Sequence, residues 1–227
     1  MCTSVPSRHR RLIANFLFCY SEEMILAYLS FFLSLTISST DSLEDEAVSW
    51  LQNYLKIDTV NPPGNESCAV DYIANIFEQE GIEFNSAESA PGRGNIWARI
   101  EGGDKPALVL LHHSDVVPVN EKYWDFDPFS GEIKDGYILG RGALDMKGTG
   151  ISHLANYINL HRQGKKLNRD VIFIGAADEE SGGNFGVGWL VKNHPEIFEG
   201  AGLLLNAGGS GYKSNDSIVV SVEITQK

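Results

Sequence analysis

The chain is poor in basic residues. Its 18 Lys and Arg face 30 Asp and Glu, for a formal charge of −12. A nucleic-acid surface needs clustered cations to neutralise phosphates, so that partner is excluded. The only basic groupings are Arg8, Arg10 and Arg11 near the start, and Lys165, Lys166 and Arg169 after a predicted helix, where cations complement the carbonyl end. Cysteine is scarce too. Cys2, Cys19 and Cys68 are odd in number, widely spaced and free of any CxxC, which argues against a thiolate zinc site and a disulfide framework. Cys68 reads as a buried, apolar residue. There is no GxGxxG, and Lys147 precedes Gly148 instead of following a glycine, so neither a dinucleotide fingerprint nor a phosphate loop is present. Internal repeats and low-complexity tracts are also missing.

No uncharged apolar run reaches the roughly 20 residues that span a bilayer. The nearest, at residues 25–38, suits the apolar region of a signal peptide, followed by the small residues Ser38, Ser39 and Thr40. The chain is therefore divided into a signal-like or anchor segment over residues 1–41 and a folded domain over 42–227. Secretion or a periplasmic location is expected. An uncleaved anchor, a cytoplasmic protein, or a true start at Met24 are the alternatives, and any membrane association would run through this segment alone.

What remains is that of a globular fold, with 43% hydrophobic and 10% aromatic residues. Apolar residues at helical spacing predict amphipathic helices from Ser42, closed by the Asn61-Pro-Pro-Gly64 turn, and from Ser67 to Glu80, stopped by Gly81. Residues 95–100 and 107–111 read as strands, 146–163 as a helix, 170–177 as a buried strand, 185–193 as a helix, and 201–205 and 217–225 as strands. This alternation predicts an α/β sandwich with a largely parallel sheet.

Chemistry gathers where the apolar runs give way to polar residues. The block LLHHSDVVP at 110–118 puts His113 at a strand end, with Asp115 placed to hold the other ring nitrogen. His112, on the opposite face if the strand persists, reads as a packing histidine. In GRGALDMKG at 140–148, Asp145 is either a metal-bridging carboxylate or the N-cap of the next helix. In ADEESGG at 177–183, one of Glu179 and Glu180 would bind a metal and the other take a proton from water. A solvated acidic loop is the alternative.

Taken in order, HxDVVP, WDFDPFSG, GRGALDMKG and ADEESGG resemble the M20 family of co-catalytic zinc amidohydrolases and peptidases. That family includes aminoacylases, acetylornithine deacetylase-like enzymes and Gly-X carboxypeptidases. The resemblance covers residues 42–227. It implies a three-layer α/β sandwich with a mixed, largely parallel sheet, and a pair of zinc ions. It further implies that His113 and Glu180 bind one ion each, that Asp145 bridges them, that Asp115 orients His113, and that Glu179 is the general base. A cis peptide is implied at Asp145-Met146. The implied reaction is hydrolysis of amide bonds in peptides or N-acyl amino acids by metal-activated water. Two departures point to an alternative, a catalytically inactive fragment or pseudoenzyme. Where relatives carry Asn-Glu-Gly-Gly, this chain has Asn206-Ala-Gly-Gly209, so Ala207 stands in for a ligand. The family's lid and dimerisation domain, and a late histidine ligand, are expected to be absent.

Overall fold

Three helices owe their place to apolar stripes that face one side of a β-sheet. In the computed structural model, which describes residues 42–208, 210–214 and 217–221, helix α1 (Leu43–Leu55) buries Tyr54 and Leu55 and leans Ala47, Trp50 and Leu51 on the core. Helix α2 (Glu66–Glu80) buries Ala69, Val70, Ile73, Ile76 and Phe77, which recur at the three- and four-residue steps of one helical face. It ends where predicted. Gly81 adopts the left-handed conformation, and its N–H turns back to the carbonyls of Phe77 and Glu78. Cys68, also buried on α2, is disulfide-bonded, which the cysteine spacing did not announce. The predicted leader lies outside the described residues.

The sheet comprises β1 (Asn85–Glu88), β2 (Gly94–Ile100), β3 (Lys105–His113), β6 (Arg169–Ala176) and β7 (Ala201–Leu205), in the order β1-β2-β6-β3-β7. Hairpins β4–β5 (Ile133–Lys134, Tyr137–Ile138) and β8–β9 (Ser210–Ser214, Ser217–Ser221) stand apart from it. The central pairs β6–β3 and β3–β7 are parallel, while β1–β2 and β2–β6 are antiparallel, so the sheet is mixed. The short polar strand β1 (NSAE) escaped the sequence reading because it lacks the apolar alternation of a half-buried strand.

Alternate residues of the central strands serve the two faces. Leu110, Val171 and Phe173 pack with α1, α2 and helix α3 (Lys147–Gln163), which contributes Ile151, Leu154, Tyr157 and Ile158. Val109, Leu111, Ile172 and Ile174 face the other way, against Leu190 of helix α4 (Val187–Asn193) and Ile197. Helix, sheet and helix make the three layers. At the sheet edge, Leu203, Leu204 and Leu205 of β7 stay more than half exposed. Among the described residues no helix is long and apolar enough to cross a membrane.

The parallel register of β3 and β6 positions the site. His113 ends β3 directly beside Ala176, the last residue of β6. Two motifs more than sixty residues apart in sequence therefore open onto the same rim of the sheet.

Candidate metal centre

Strand β3 persists through both histidines, so their rings leave on opposite faces. His112 is fully buried among the helices, with Nε2 3.2 Å from Tyr54 Oη. Burial pushes its pKa down to about 3, which keeps the ring neutral. A Cβ on Gly150 of α3 would lie 2.4 Å from His112 Cδ2, so the bare glycine backbone is what lets α3 close on this ring. The reading of His112 as a packing residue holds.

His113 faces the rim. Its Nε2 lies 3.1 Å from Asp145 Oδ1 and 3.7 Å from Glu179 Oε2. Ligand atoms of His113, Asp145 and Glu180 all lie within 4.8 Å of one another. An imidazole nitrogen and two carboxylate oxygens are the donor set that zinc and similar divalent ions take, so the residues present fit a metal. Asp145 is not an N-cap: Met146 precedes α3, without a side-chain cap bond, and the Asp145 carboxylate is two-thirds exposed at the rim. The Asp145-Met146 peptide is cis, as the resemblance implies.

Asp115 does more than was expected of it. The nearest oxygen to His113 Nδ1 is its main-chain carbonyl at 3.0 Å, with the carboxylate at 3.3 Å. The fully buried carboxylate itself accepts from the amides of Glu179 and Glu180, at 3.0 and 3.1 Å, and from Asn61 Nδ2 at 2.7 Å. One side chain thereby steadies both the histidine and the acidic turn. Burial pushes the Asp115 carboxyl up, but the bonds from His113 and Asn61 outweigh it and hold the carboxyl below its ordinary value. For His113, burial pushes downward, yet Asp115 and the charge of Glu179 carry the imidazole up to about 9. Burial raises the Glu180 carboxyl, His113 partly offsets this, and Asp145 and Glu179 add to the rise.

Several residues at the site gave no signal in the sequence. Asp178, which looked like part of a solvated triplet, is buried, and its backbone is left-handed at φ 67°. It accepts from Asn61, Arg93 and the amide of Phe185. Lys147 is fully buried at the start of α3, where it donates to the carbonyls of Tyr54 and Ile57 and ties the helix to the end of α1. Burial takes its ammonium down to about 7. Such residues carry no spacing pattern, because each reaches the site from a different part of the chain.

A cavity of about 70 Å³ adjoins the cluster, lined by Leu111, His113, Ala176, Glu179, Val187 and Asn206. The segment after β7 therefore reaches the rim, but Ala207 brings no donor atom to it. Among the described residues the metal-ligand cluster has three members.

Residues 109–224 match the family described as "Peptidase family M20/M25/M40". Pig aminoacylase-1 is 35% identical over 169 residues, which is 73% of this chain and 41% of the relative. A metallohydrolase of Methanococcus maripaludis is 33% identical over 183 residues, covering 72% and 43%. Among solved structures, an M20 family metallo-carboxypeptidase from Sulfolobus solfataricus superposes with a TM-score of 0.61 at 27% identity, over 72% of this chain and 37% of that one. The chain spans about two fifths of the length of the curated relatives it matches.

Proposed function

The chain belongs to peptidase family M20/M25/M40, and from that membership we propose that it serves metal-dependent hydrolysis of amide bonds in peptides or N-acyl amino acids. The observation that carries this reading is the convergence of His113, Asp145 and Glu180 within 4.8 Å, with Glu179 beside them. His113, Asp145 and Glu180 would hold the metal, taken as zinc from the nitrogen and oxygen donors. A pair of such ions, when bound, polarises a substrate carbonyl and acidifies water.

The protein's own residues do the rest. Glu179 is 61% exposed on its side chain, so it is open to solvent and substrate. It takes the proton of the attacking water and hands it to the leaving nitrogen. Asp115 fixes the ring of His113 and the backbone that carries Glu179. Calorimetric titration with zinc and an N-acyl amino acid hydrolysis assay test the reading together. Glu179→Gln is expected to lower turnover by about 10²–10⁴-fold while zinc affinity stays close to the parent's. Absence of zinc binding by the parent chain refutes it.

A second reading, a catalytically inactive relative, is favoured by Ala207. With no donor at that position, each of two ions would keep two protein ligands including the shared Asp145, where a catalytic zinc has three. Ala207→Glu separates the two: tighter zinc binding and a gain in hydrolysis mark position 207 as the missing ligand. Export through residues 25–38 is a further part of the proposal, tested by sequencing the mature amino terminus.

A further inference from the structure

The turn that follows β6 is gripped along its backbone. The amide of Ala177 donates to Asn95 Oδ1 at 3.0 Å and that of Asp178 to Glu66 Oε1 at 3.2 Å. The next two, of Glu179 and Glu180, donate to Asp115. Four successive N–H groups thus end on side-chain oxygens of fully buried residues. Buried backbone donors need partners, and this turn draws them from side chains instead of a ladder.

Glu66 is the outlying member. It sits at the start of α2, on neither β3 nor β6, and is fully buried. Arg93 Nη2 donates to Glu66 Oε1 and to Asp178 Oδ1, both at 2.8 Å, and Nη1 donates to the Pro63 carbonyl at 3.0 Å. The pair therefore holds Asp178 twice, by its amide and by its carboxylate. Gly64, at φ +82°, closes over them: a Cβ there would fall 2.6 Å from Arg93 Cζ and 2.7 Å from Glu66 Oε2. Burying such a pair yields little net stability, because the loss of hydration offsets the attraction. What the arrangement does provide is a fixed position for Asp178 and for the two glutamates that follow it.

We propose that Glu66, paired with Arg93, is a positioning residue for the base and ligand Glu179 and Glu180, acting through the amide and carboxylate of Asp178. The inference rests on the functional reading above for what those glutamates do, and on the hydrogen bonds alone for how they are held. Neither Glu66 nor Arg93 touches the metal ligands.

The test uses the whole chain and two independent readouts, backbone amide exchange and calorimetric titration with Co²⁺. Glu66→Ala is expected to speed exchange at Asp178, Glu179 and Glu180 while β3 and β6 exchange as in the parent, and to weaken Co²⁺ binding by about 10–100-fold. Glu66→Gln keeps an oxygen for both donors and should restore both readouts most of the way. If Glu66→Ala does not fold, Arg93→Lys carries the test: it keeps the charge but loses the planar fork, and should loosen the same three amides. Exchange that rises equally across β3 and β6, or a loosened turn with unaltered Co²⁺ affinity, overturns the proposal. A parent chain that binds no Co²⁺ sinks the functional reading instead, and the exchange results then judge the clamp by themselves.

Discussion

Replacing Asp115 by Asn changes no volume and removes one charge from the most heavily used acceptor at the site. The carboxylate accepts from the amide of Glu179 on Oδ1, where His113 Nδ1 also lies at 3.3 Å, and from the amide of Glu180 and Asn61 Nδ2 on Oδ2. An asparagine must turn its NH₂ toward one side. Facing Oδ2's partners it would meet two donors at 2.7 and 3.1 Å, so the better rotamer sets it against the Glu179 amide and the longer contact of His113 Nδ1 at 3.3 Å. Asn61 cannot flip to relieve this, because its Nδ2 also donates to Asp178 at 3.1 Å. One charge-assisted bond, worth about 1.5–3 kcal/mol, is lost, and the two that remain fall to neutral strength, at about 1 kcal/mol each. The metal-free protein should lose about 4 kcal/mol of unfolding free energy, read from urea denaturation with an unchanged slope. Zinc affinity, measured by calorimetry, should drop about 10–100-fold, since the amides of Glu179 and Glu180 lose their shared anchor. A stability loss under about 1 kcal/mol would refute the reasoning, because it would mean that these buried bonds are not made in solution.

Phe173→Ala should cost about 3–5 kcal/mol in the same assay, since this fully buried ring packs edge-on against Phe77 at 5.5 Å and against Tyr157 at 5.8 Å; a loss near 1 kcal/mol would contradict the packing. Gly150→Ala forces a methyl to within 2.4 Å of His112 Cδ2 and should destabilise by about 1–3 kcal/mol, which thermal unfolding can check against a neutral outcome. The hydrogen bond from Arg162 holds the Glu80 carboxyl below its ordinary value. The unfolded chain therefore binds that proton first on acidification, so the stability from this contact is complete above the ordinary carboxylate value and lost as pH falls through the depressed one. Glu80→Gln should flatten that part of the stability–pH curve, and an unaltered acid limb would count against the pair.

The sequence determined by itself the elements whose physics is local. Helices α1, α2 and α3 follow from apolar residues repeating at 3.6-residue spacing, and their ends at Gly81 and Gly164 from the one residue type that turns left-handed without strain. Strands β3 and β6 follow from short apolar runs buried on both faces. That His113, Asp145 and Glu180, the candidate donors, would come together was legible through the family resemblance, since the residues alone left Asp145 open as an N-cap and the two glutamates undivided. Tertiary structure alone decided what holds those donors. The parallel register that sets His113 beside Ala176 brings the first and last motifs together. Asn61, Glu66, Arg93 and Asn95 then arrive from the first turn, α2 and the strand β2 region as isolated polar residues without periodicity. A lone buried Glu or Arg has no local signature. Its partners exist only once the chain has folded, so its role is fixed by three-dimensional distance and not by spacing along the chain.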